Sequence, residues 1–157
     1  MSSIHTLLQI GNCFFVTLLR EAEAYIEDSE WTKAYLCLEQ YGWHMAKHQE
    51  VEAEILYPKL LQNDPKLEPE TTHLIHDYDE IAKQSRLATK SIYDKDQESA
   101  LSCLGRLIQI TSGHWLSQVQ TLYAAADAID EQLLAQVADK LSEAVNMPTV
   151  NSSSLPH

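Results

Sequence analysis

The feature that most constrains this chain is how far its helical spacing of apolar residues runs without interruption. Residues 3–26 place Ile4, Leu7, Leu8, Phe14, Phe15, Leu18, Leu19, Ala22 and Ile26 at helical intervals. Asp28 and Ser29 offer a cap for a second helix over about 30–57, which Pro58 is expected to stop. A loop containing Pro65 and Pro69 leads into a third helix that ends near Tyr93, and Asp94 and Asp96 precede a fourth over about 97–126. A shorter fifth helix, 127–145, is amphipathic through Ile129, Leu133, Leu134, Val137 and Leu141. The tail 146–157 has no apolar period and is expected to be mobile. Only four Gly and five Pro occur in 157 residues, too few for a turn-rich sandwich or barrel, and no glycine-rich phosphate loop can be found. The expected architecture is all-α: an up-down-up-down four-helix bundle over 1–126, with an additional C-terminal helix packed on it.

Charge and cysteine usage narrow the class of partner. Lys and Arg number 11 against 23 Asp and Glu, a net charge of −12. Phosphate backbones and anionic lipid surfaces would repel such a chain, so neither nucleic acid nor membrane is an expected partner. Cys13, Cys37 and Cys103 are odd in number and far apart, which is no disulfide framework. The greasy start, Ile4 to Leu19, contains His5, Gln9 and Asn12, lacks a preceding basic residue and reads as neither signal peptide nor membrane span. The expectation is a reduced, cytoplasmic protein.

An internal repeat brings the chemistry into view. A single offset of 66 residues lays Ala34, Cys37, Leu38, His48, Glu52, Leu56 and Tyr57 on Ala100, Cys103, Leu104, His114, Gln118, Leu122 and Tyr123 without a gap. Chance matches of Ala and Leu are common in helices, whereas matched Cys, His and Tyr in one register point to a duplicated helical hairpin. At about 100° per residue, Ala34, Cys37, Tyr41, His44, His48, Glu52 and Ile55 share one face of the second helix. Ala100, Cys103, Leu107, Thr111, His114, Gln118, Leu122 and Ala125 share the corresponding face of the fourth. The first and third helices align at an offset of 73, which sets His5, Leu8, Asn12, Phe15 and Leu19 against Tyr78, Ile81, Ser85, Ala88 and Ile92. His73 and His76 fall off that stripe, so Tyr78 is the inward residue. His48 and Glu52 stack on adjacent turns of a mostly apolar face, and a buried carboxylate requires a partner, a proton or a metal.

With these residues in hand the sequence resembles the hemerythrin-like, or HHE cation-binding, family. The match is His48-Gln-Glu-Val-Glu52-Ala-Glu-Ile-Leu56-Tyr57-Pro58, a His-x-x-x-Glu run followed by a Leu-Tyr-Pro stop, with His5 at the family's first ligand position and His114 at another. The resemblance covers about residues 4–126 and implies a non-haem di-iron centre in the bundle. It further implies binding or sensing of oxygen, nitric oxide or iron. Two positions depart from the pattern: Gln118 stands where a second bridging carboxylate belongs, and Tyr78 stands where a histidine belongs. The metal ligands so implied are His5, His48, Glu52, Tyr78 and His114.

Three readings follow. In the first, these five residues hold iron as an asymmetric pair or a single ion, manganese or zinc being equally compatible with imidazole and carboxylate donors, and a small diatomic ligand binds at an open position. In the second, the chain is a metal-free helical interaction module, compatible with a homodimer, and His48 and Glu52 simply satisfy each other. The third, a di-iron oxidase or peroxidase-like enzyme, ranks last because no acid–base pair or nucleophile stands apart from the ligands.

Overall fold

Residues 3–125 and 129–143 are described in a computed structural model of the chain. All their regular structure is helical, and no strand occurs among the described residues. The elements are α1 (Ile4–Glu27), α2 (Trp31–Val51), a π-helical turn (Glu52–Leu56), α3 (Tyr57–Asn63), a 3₁₀ turn (Pro65–Leu67), α4 (Glu68–Tyr93), α5 (Gln97–Ala124) and α6 (Glu131–Ser142). The tail from Asn146 lies outside the described residues.

Local chemistry explains most of these boundaries. Ser3, Asp96 and Asp130 cap α1, α5 and α6 by accepting from Thr6 N, Ser99 N and Leu133 N. Asp130 thereby starts the last helix later than its apolar period implies. The links α1–α2 and α4–α5 share one geometry. Ser29 and Lys95 both lie in the left-handed region, at φ 59° and 53°. Glu30 N donates to Tyr25 O and Ser29 N to Ile26 O, and Asp96 N donates to Ser91 O and Lys95 N to Ile92 O in the same way. This is the Schellman closure of a helix end. Each partner lies 66 residues from its counterpart, the offset that aligns α2 with α5, so the turns leading into those two helices share one geometry.

Pro58 does not stop the second helix. A proline here cannot donate to Glu54 O, and its ring would press on that carbonyl in a regular α-helix. The chain responds with the π turn, in which Tyr57 N donates to Glu52 O, and helix then continues to Asn63. In this wider turn residues five apart come onto one face, and it matters below because it places Tyr57 on the face of Glu52.

α1 packs against α2 and α5, and α4 packs against α5 and α2. α6 lies against α2, the π turn and α1, burying Leu133 and Val137. No helix among the described residues is long and apolar enough to cross a membrane. The interior divides into two apolar clusters. One runs from Phe15 and Leu19 through Tyr41, Ile81 and Leu107, and the other from Ile4 and Leu8 through Leu56, Leu60, Leu74 and Leu122. All four long helices pass from one cluster to the other at the same level, and the residues at that level are polar.

Candidate functional site

The dividing layer takes Asn12 from α1, His48 from α2, Glu52 from the π turn, Asp77 and Tyr78 from α4, and Thr111, His114 and Gln118 from α5. Glu52 is its centre and is 4% exposed. Its Oε2 accepts from Tyr57 Oη at 3.2 Å, from Tyr78 Oη through a short hydrogen bond, and from His114 Nε2 at 3.2 Å. Tyr57 Oη in turn accepts from Gln118 Nε2 at 2.9 Å, so Gln118 supports the carboxylate through a phenol. The other nitrogen of His114, Nδ1, lies 3.0 Å from Asp77 Oδ2. With an acidic oxygen at each ring nitrogen, His114 is an imidazolium donating twice.

The electrostatics follow from this geometry. Burial alone would lower the His114 pKa, but the hydrogen bonds and charges of Asp77 and Glu52 outweigh it and raise the value to about 9. Burial alone would raise the Glu52 carboxyl. The hydrogen bond and charge of His114, with the hydrogen bond from Tyr78, hold it below the usual carboxylate range instead. Burial and the nearby Glu52 charge push the phenols of Tyr57 and Tyr78 upward, so both are protonated donors. His48 goes the other way: burial lowers its pKa, leaving a neutral imidazole. Its ring packs edge-on against Phe15, with centroids 4.9 Å apart. Gly11 gives it room, because a Cβ at residue 11 would overlap His48 Cε1.

A cavity of about 20 Å³ adjoins the cluster, lined by His48, Glu52, His114 and Gln118 together with Asn12 and Trp115. Of the five sequence-derived ligands, the structure joins Tyr78 and His114 to Glu52 by hydrogen bonds and places His48 on the wall of the cavity beside them. His5 is half-buried at the start of α1 and does not line that cavity. His73 and His76 are exposed, in keeping with the register that turned them outward. Sequence reasoning missed Asp77 and the roles of Tyr57 and Gln118. Asp77 was signalled by its position, since it interrupts the buried series Leu74 and Ile81 with a carboxylate that must be paired. Tyr57 could not have been found from a regular helical period, because the π turn moves it.

Among the described residues, no three His, Cys, Asp or Glu side chains form a ready metal-holding group. His114 Nε2 and Glu52 Oε2 stand 3.2 Å apart. That is close to the roughly 3.0–3.4 Å between two ligands each about 2.1 Å from a shared ion. Asp77 on Nδ1 stands where an outer carboxylate orients the imidazole of a metal ligand in metal sites generally. Gln118, committed to Tyr57, leaves no second bridging carboxylate for a pair of ions. No family model, curated protein or solved structure matches this chain.

Proposed function

We propose that the Glu52 cluster is a hemerythrin-like non-haem iron site reduced to a single ion, in an up-down-up-down four-helix bundle of a cytoplasmic protein. The observation that carries this reading is the convergence of an imidazole nitrogen and two phenols on the carboxylate oxygen Glu52 Oε2, with a proton of His114 where a cation would sit. His114, Glu52 and Tyr78 would hold the ion, and His48 is the nearest neutral imidazole. A non-haem iron there supplies a coordination position for a small diatomic ligand. Asp77 keeps His114 Nδ1 protonated and Nε2 directed inward, Gln118 fixes Tyr57, and Phe15 and Gly11 hold the ring of His48.

The test is metal content on protein purified without chelator, followed by anaerobic Fe(II) titration and exposure to air. One iron per chain is expected, with a visible phenolate-to-ferric absorption that disappears in Tyr78→Phe. His76→Ala should leave binding unchanged. Two irons per chain would restore the paired centre. A second reading, the metal-free interaction module, draws on the same cluster: Glu52 Oε2 and both ring nitrogens of His114 already have protein partners. Absence of binding, with an unchanged melting temperature in excess Fe(II), would favour it and sink the first.

A further inference from the structure

Two buried polar atoms of the layer have no hydrogen-bond partner: Asn12 Oδ1 on α1 and Trp115 Nε1 on α5. Both residues line the cavity beside Glu52. Buried amide and indole groups are rarely left this way, because each gives up its hydrogen bonds to water on folding. The two atoms also complement each other chemically. A carbonyl oxygen can only accept and an indole N–H can only donate. A molecule that satisfies both must therefore donate one hydrogen bond and accept another. The cavity volume of about 20 Å³ exceeds the roughly 10–15 Å³ that one water needs. Dioxygen and nitric oxide accept but cannot donate, so they leave Asn12 Oδ1 unsatisfied.

We infer that Asn12 and Trp115 form a binding site for one small hydroxylic molecule, water or hydrogen peroxide, which donates to Asn12 Oδ1 and accepts from Trp115 Nε1. The site needs no metal, so it stands or falls separately from the function proposed above. It holds its occupant against the wall formed by His48, Glu52 and His114. Whichever small molecule approaches the Glu52 cluster through this cavity must displace that occupant or be the occupant.

The experiment uses the metal-free full chain labelled with ¹⁵N. Trp115→Phe identifies the indole resonance of residue 115 among the three tryptophans. Cross-relaxation between that N–H and a long-lived bound water is expected, with its loss in Asn12→Leu, which removes the acceptor and fills the space. Unchanged Trp31 and Trp43 resonances establish that the variant is folded, and Asn12→Ala provides a second variant should the leucine disrupt packing. Titration with hydrogen peroxide separates the two sources. A saturable shift of the Trp115 resonance that replaces the water contact identifies peroxide as an occupant, and an unchanged water contact identifies water alone. A Trp115 N–H with no water contact, indifferent to peroxide and to Asn12→Leu, would overturn the inference. So would a Trp115 resonance that responds to nitric oxide or xenon while showing no water contact.

Discussion

At the scale of single residues, the interior of this protein is organised by one carboxylate. Glu52 is buried and ionised, a state that costs several kcal/mol unless hydrogen bonds and an opposite charge offset it. Tyr78 makes the shortest of those bonds. Tyr78→Phe in the metal-free protein is expected to destabilise by about 1.5–3 kcal/mol, the range for a hydrogen bond to a charged group. Urea unfolding measures this, and a loss below about 0.5 kcal/mol would mean that Tyr57 and His114 suffice. Gln118 and Tyr78 each make a defined hydrogen bond here. Gln118 donates to Tyr57, and Tyr78 donates directly to the carboxylate. Replacing Gln118 by Glu or Tyr78 by His would put an acid or an imidazole where a neutral donor now stands.

At the scale of elements, the duplicated turns and the contact of α1 with α2 each make a prediction. Ser29 and Lys95 hold left-handed conformations that cost an L-residue roughly 1–2 kcal/mol, part of which glycine returns as lost chain entropy. Ser29→Gly and Lys95→Gly are each expected to stabilise by about 0.5–1 kcal/mol, and by similar amounts because the turns are copies. Thermal unfolding of both variants checks this; opposite signs would show that the two turns are not equivalent. Gly11→Ala pushes a methyl into the ring of His48. A cost of about 1–3 kcal/mol is expected, the usual range for overpacking. The loss should be recovered largely in Gly11→Ala with His48→Ala, a coupling readable from a double-mutant cycle. If the double variant is merely additive, the ring of His48 yields elsewhere and Gly11 serves another purpose.

At the scale of the whole molecule, the ionised layer makes stability depend on pH in a definite direction. The His114 pKa is raised in the folded state to about 9. The unfolded value is about 6.5, so its contribution is complete below that pH and is lost as pH rises through about 9. The Glu52 pKa is lowered on folding. Its contribution is therefore present above about pH 4.5 and is lost as pH falls. His48, buried as a neutral imidazole with its pKa lowered, adds an acid-side loss as pH falls below its unfolded value of about 6.5. The melting temperature of the metal-free protein is therefore expected to be highest near about pH 6.5 and to decline on both sides. His114→Gln should start lower and show a flatter alkaline limb. An alkaline decline as steep in the variant as in the parent would assign that limb to general repulsion in a chain of net charge −12.

Much of this could be read from the residues alone, and the boundary has a physical cause. Helical period is a local property: side chains at intervals of three and four share a face whatever they meet, so the sequence determined the long helices and the burial of Glu52, His114 and Gln118. It also determined the outward placement of His73 and His76. The repeat of 66 residues likewise marked two equivalent hairpins before the matching turns were seen. What failed locally was Pro58, where a steric conflict can end a helix or widen it, and continuing helix with Leu56 and Leu60 to bury favours widening. Partner choice is not local at all. That Asp77 meets His114, that Gln118 reaches Tyr57 and that Asn12 and Trp115 border one cavity depend on how α1, α4, α5 and the π turn meet. Only the packed structure decides such contacts, because buried polar groups take whatever partners the packing of apolar faces leaves within hydrogen-bond reach.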